Sequence, residues 1–177
     1  MRRLLVVFAV MVLGVAGATQ ALAAPIISIE PMTTLVEPDD LFALDVTIND
    51  QVLGVTGYDL IIDFDETLIE VVNVVEGALP AGSPPSYFFW TDEGTTSQSI
   101  VINGAVLGHS VDGPGTLAQL RFHALTLGTT PIHFMSVQLR HLDNSPIAVT
   151  PIDGEVTIEW TTPVEPSTWS RVKALFR

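Results

Sequence analysis

Period-two alternation of apolar and polar residues dominates this chain and limits it to folds built from half-buried strands. In Leu41–Ile48, Phe42, Leu44, Val46 and Ile48 fall on one side of an extended backbone, with Ala43, Asp45 and Thr47 on the other. The same pattern sets Tyr58, Leu60, Ile62 and Phe64 against Gly57, Asp59, Ile61, Asp63 and Asp65. It returns with Ala118, Leu120, Phe122 and Ala124 against Gln119, Arg121 and His123, and with Val156 and Ile158 against Glu155, Thr157 and Glu159. Turn-forming clusters separate the runs, among them Asn49-Asp50, Pro80 to Pro85, Asp112-Gly113-Pro114-Gly115 and Asp143-Asn144-Ser145-Pro146. No amphipathic helical period occurs between residues 26 and 160, and no internal repeat is visible. The pattern predicts an all-β fold, a two-sheet antiparallel sandwich of eight or nine strands.

The first residues have a different character. Met1-Arg2-Arg3, an apolar run from Leu4 to Ala18 and the small-residue site Ala21-Leu22-Ala23 form the three parts of a secretory signal peptide, residues 1–23. Its apolar run is shorter than the roughly 20 residues a membrane-spanning helix needs, so no membrane span is expected. The remainder, from Ala24, is expected to be secreted, extracellular or cell-surface, with one domain over residues 24–160. Cysteine is absent, so packing alone must hold an exported fold, and thiolate zinc sites and thiol catalysis are excluded. Of the 7 basic residues two lie in the leader, and 20 acids oppose the rest. Between Pro25 and Leu120 there is no Lys or Arg at all. Nucleic acid is excluded as a partner, because nothing is there to displace phosphate counterions, while a basic partner would be drawn from a distance.

After Trp160 the alternation stops. Residues 161–166 read as an extended linker, and residues 167–177 as a short basic tail in which Trp169, Val172 and Phe176 share one helical face beside Lys173. The tail reads as a separate attachment or sorting element; the competing possibility is that it folds back on the acidic sandwich.

Three chemistries compete for the acids of VTGYDLIIDFDETLIEVVNVVEG, residues 55–77. Asp63 and Asp65 are two residues apart on one strand, about 6.6 Å between Cα atoms, on the scale of an inverting glycosidase pair. An outward sheet face lacks the cleft that raises an acid's pKa, so no catalytic residues are assigned and an enzyme is not expected. Calcium is the second candidate, but no Asp-x-Asp-x-Asp-Gly loop occurs, and Asp and Asn at turns need no metal. His109, His123, His133 and His141 stand at no ligand spacing. No cofactor or metal is expected. The third chemistry is a charged face that meets another protein, with Ile61 as an apolar anchor among Asp59 and Asp63. Separately, Tyr87-Phe88-Phe89-Trp90 could present two outward rings to a polysaccharide, with Tyr87, Phe88 and Trp90 as the candidate platform; alternation does not decide which pair points out.

The stretches VTGYDLIIDFDETLIEVVNVVEG, GTLAQLRFHAL and DNSPIAVTPIDGEVTI, in that order and spacing, resemble the cohesin modules of cellulosomal scaffold proteins from about Asp40 to Ile158. The resemblance implies a jelly-roll β-sandwich that binds a dockerin-like module or another extracellular protein, with a role in polysaccharide degradation. It places Asp59 where such cohesins present an Asp to the partner, with Gly57 where some carry Asn. It makes Asp65 a structural corner residue that caps the turn Asp65-Glu66-Thr67. The partner-binding set is then Gly57, Asp59, Ile61 and Asp63.

Overall fold

The computed structural model describes residues 23–82, 87–93 and 99–161. The expected leader up to residue 22, the expected linker beyond Thr161 and the expected tail with Trp169, Lys173 and Phe176 lie outside them. Twelve strands and one short helix are found among the described residues. They are β1 (Ile26–Glu30), β2 (Thr33–Val36), β3 (Leu41–Ile48), β4 (Gly57–Asp63), β5 (Ile69–Glu76), α1 (Ala78–Ala81), β6 (Tyr87–Asp92), β7 (Ser99–Val106), β8 (Gly115–Ala124), β9 (Gly128–Arg140), β10 (Pro146–Ile147), β11 (Thr150–Ile152) and β12 (Gly154–Ile158). One sheet has the order β11-β1-β3-β8-β5; the other runs β2-β12-β9-β4-β7-β6, with β10 beside β9.

The alternation decides which side chains meet between the sheets. Leu44, Val46 and Ile48 of β3 and Ala118, Leu120 and Phe122 of β8 are buried from one side, and Tyr58, Leu60 and Ile62 of β4 with Ile100 and Ile102 of β7 from the other. Phe122 joins the layers: it stacks on Phe42 at 5.5 Å and meets Phe64, which follows β4 in the opposite sheet, edge-on at 5.5 Å. Tyr58 lies across Gly104 of the neighbouring strand and donates its hydroxyl to the Leu117 carbonyl at 3.3 Å. Burial, with a smaller contribution from the Glu76 charge, pushes this phenol well above its ordinary pKa.

Two expectations need correction. The sheets are mixed, because β1 pairs β11 and β12 pairs β2 in parallel. Twelve strands replace eight or nine, since β2, β10 and β11 are only 4, 2 and 3 residues long. Such pieces are too short to show a period, and their pairing is set by where the long strands bring them.

At one margin of the sandwich, β5 and β6 are both edge strands. An edge with unpaired N–H groups invites aggregation. Here the Glu93 carboxylate accepts from the Val74 N–H of β5 at 2.9 Å, and the Tyr87 hydroxyl donates to Glu76 at 2.9 Å. The two edges are thus tied to one another by side chains.

Candidate partner-binding face

Strand β4 lies in the interior of the seven-stranded sheet, between β9 and β7, so its outward residues have cross-strand neighbours on both sides. One row across the sheet is Phe88–Ala105–Gly57–Arg140, and the next is Trp90–Asn103–Asp59–Gln138. Asp92–Val101–Ile61–Ser136 is the third row and Ser99–Asp63–His133 the fourth. Neighbours within a row stand roughly 4.8 Å apart, close enough for one partner surface to touch a whole row. The register shifts between Ile61 and Ile62, which pair with Ser136 and Phe134 and leave Met135 as the extra residue of a bulge. Met135 is 61% exposed beside Ile61. Gly57, Asp59, Ile61 and Asp63 therefore share one outward surface, and the carboxylates of Asp59 and Asp63 make no hydrogen bond with the described residues.

The alternation of β6 is resolved by its neighbours. Phe88 and Trp90 point outward, 53% and 48% exposed, in the same rows as Gly57 and Asp59. Tyr87 and Phe89 turn to the other side, where Phe89 packs on the core. Tyr87 is therefore not beside Phe88 and Trp90; its bond to Glu76 raises its pKa. The aromatic and acidic candidates, separate in the sequence, form one surface. Val101, Asn103, Met135 and Gln138 complete it and were not singled out by the sequence. Only the strand pairing, which is non-local, could have found them.

Gly57 forms a low point of this surface. A Cβ placed there would meet nothing nearer than the Gly104 carbonyl oxygen at 3.7 Å. Packing does not demand the glycine, and together with Ala105 it leaves a flat floor between Phe88 and Arg140. The Arg140 guanidinium is itself turned to Gln138 at 2.7 Å.

Asp65 has other work. Its carboxylate accepts from the Thr67 hydroxyl at 2.6 Å and the Thr67 N–H at 2.9 Å, and these bonds hold it below the usual carboxylate range. Asp63, Asp65 and His133 do line a shallow hollow of ≈ 310 Å³. The lowered pKa disfavours Asp65 as the proton donor that a glycosidase requires. Asp143 is held low in the same way by Ser145. Because the folded pKa of Asp65 is depressed, its contribution to stability is complete above the unfolded value of about 3.9 and is lost as the pH falls through the lower folded value. The melting-temperature gap between the native and Asp65→Ala chains should be present at neutral pH and close from about pH 4 downward. A gap independent of pH would rule out the ionised carboxylate as its source. The histidines serve separate turns and edges: His133 meets Asp153 at 2.6 Å, His123 meets Glu70 at 2.9 Å, and His141 faces the Gly54 carbonyl at 3.2 Å.

The family model of the cohesin domain matches residues 27–158, from the second residue of β1 to the end of β12. This chain belongs to the cohesin family. The cohesin's fold is similar to that of a non-cellulosomal cohesin of the archaeon Archaeoglobus fulgidus, with 16% identity and a TM-score of 0.64 over 88% of this chain and 100% of that one. A type II cohesin module of an adaptor scaffoldin of Acetivibrio cellulolyticus gives 17% identity and a TM-score of 0.69 over 85% and 100%. The cohesin of a type I cohesin–dockerin complex from Clostridium thermocellum gives 18% and 0.68 over 79% and 98%. No curated protein matches the sequence. At these identities the likeness establishes the shared fold, and the residues of the outward face are this cohesin's own.

Proposed function

We propose that this cohesin is a secreted docking module, not an enzyme, that binds a dockerin-like module or another extracellular protein through the outer face of β9-β4-β7-β6. The observation that carries the reading is the composition of that face: Ile61, Val101, Met135, Phe88 and Trp90 are apolar and partly exposed, and Asp59 and Asp63, without a hydrogen bond among the described residues, stand among them. An apolar centre with a polar rim is how a specific interface is built. Asp59 would receive donors from the partner, and the preformed sheet would dock with little rearrangement. Parallel return of β11 to β1 and of β2 to β12 supports the jelly-roll winding that the family resemblance implies. Export rests on the signal-like residues 1–23, and a role in polysaccharide degradation rests on the resemblance alone.

The test is binding of isolated dockerin modules and exported proteins to the immobilised cohesin. Asp59→Ala should weaken the captured complex at least tenfold while the melting temperature stays within a degree or two. A chain that unfolds on this change would make Asp59 structural and sink the assignment.

Phe88 and Trp90 standing outward together also support a second reading, a polysaccharide platform on the same face. Indole emission that shifts on adding polysaccharide, and does not shift in Trp90→Ala, would favour it.

A further inference from the structure

The opposite sheet has a surface of its own. Across β3, β8 and β5 its outward rows are Leu41–His123–Glu70 and Ala43–Arg121–Asn73, with Val72 as the extra residue of a bulge in β5. Leu41 and Val72 are 74% and 51% exposed on opposite walls of a hollow of ≈ 380 Å³ that reaches down to Phe42 and Phe122. Asn73 lines the hollow, and its side-chain oxygen, itself buried, has no hydrogen-bond partner among the described residues. Around the hollow stand Asp39, Asp45 and Glu70, against Arg121 and His123.

The end of the described chain lies beside it. The backbone N–H of Thr161 donates to the Glu37 carboxylate at 3.2 Å, and the Thr161 hydroxyl donates to the same oxygen. Glu37 begins the turn whose Asp40 caps its N–H at 2.9 Å and which enters β3 at Leu41. The chain after Thr161 thus leaves within a few residues of the hollow's rim. Residues 162–166 can span roughly 17 Å when extended, enough to turn the edge of the sandwich. The tail beyond them carries Arg171, Lys173 and Arg177 with no acid after Glu165, and Trp169, Val172 and Phe176 at helical spacing. Eleven residues do not hold a helix alone in water, where about 12 to 15 are marginal, so such a segment needs an apolar surface to fold against.

We infer that residues 167–177 dock intramolecularly on the outer face of β3-β8-β5, their apolar side between Leu41 and Val72 and their bases toward Asp39 and Glu70. The hollow supplies apolar walls with acids around it; the segment supplies apolar side chains and bases. Because this face is on the sheet opposite Asp59, docking leaves the partner-binding face open. Loss of the tail should therefore not change partner binding.

The test uses the chain from Ala24 to Arg177 with Trp90→Phe and Trp160→Phe, which leaves Trp169 as its one indole. Its emission should lie to the blue of the free peptide 163–177 and be independent of protein concentration. Val72→Lys, at an exposed position, should shift it to the red without lowering the content of β-structure. Synthetic peptide 163–177 should bind the chain truncated after Thr162, and bind the Val72→Lys truncated chain at least tenfold more weakly. Emission equal to that of the free peptide, or unchanged by Val72→Lys, overturns the inference. A blue shift that appears only as concentration rises also overturns it, because the tail would then lie on a second copy.

Discussion

Phe122→Ala should destabilise the cohesin by about 3 to 5 kcal/mol, the usual cost of emptying a large aromatic site in a close-packed core. The side chain has no exposed surface and is the largest among the fully buried residues. Its neighbours cannot collapse into the gap, because Phe42 comes from β3 in the same sheet and Phe64 from the end of β4 in the other. Each is held by its own strand. Strand β8 also pairs on both sides, with β3 and β5, so relaxation at 122 would disturb two ladders. Urea denaturation would show the loss as a lower midpoint with the slope unchanged. Phe88→Ala is the control: the same deletion on the exposed face should change stability by under about 1 kcal/mol. A Phe122→Ala cost near that of Phe88→Ala would mean that the ring does not bridge the sheets.

The inward residues were legible because period two has only two solutions per strand, and a run such as Tyr58, Leu60, Ile62 and Phe64 permits one of them. Outward Asp59, Ile61 and Asp63 follow from the same choice. Where both sets of residues are apolar, alternation is silent: Tyr87 with Phe89, or Phe88 with Trp90, could equally have faced the core. The packing of partly buried Phe89 on the core and the Tyr87–Glu76 bond decide it, and the bond depends on β5 lying across from β6. Parallel pairing was illegible for a related reason. Ile26 meets Thr150, and Thr33 meets Glu155, contacts that no local pattern records. The bulge at Met135 hides in the same way, since an extra residue looks like a lapse in period until its partner strand is known. The spacing of the carboxylates misleads in one respect: β4 ends at Asp63 and Asp65 belongs to the following turn, where it accepts from Thr67, so the two are not on one strand.

The second large effect is expected at Gly104, where one added methyl should cost at least the 1 to 3 kcal/mol of an overpacked core. Gly104 pairs with Tyr58 across β7 and β4, and a Cβ built on it would lie 2.0 Å from the ring's Cζ and 2.3 Å from the hydroxyl oxygen. No real contact is that short, so either the ring or the strand must move. The ring is confined: Tyr58 is almost wholly buried and its hydroxyl is bonded to the Leu117 carbonyl of β8. Expelling it would strand that polar group or lose the bond, at about 1 to 3 kcal/mol more. Moving β7 instead would carry Val101, Asn103 and Ala105 away from Ile61, Asp59 and Gly57, the rows on which the proposed interface rests. Gly104→Ala should thus lower stability and weaken partner binding together, unlike Asp59→Ala, which should affect binding alone. A double-mutant cycle isolates the clash, because Tyr58→Leu removes the ring that the new methyl strikes. Gly104→Ala should then cost markedly less in the Tyr58→Leu background than in the native chain. Additive costs would show that Gly104 is needed for some reason other than the ring that covers it.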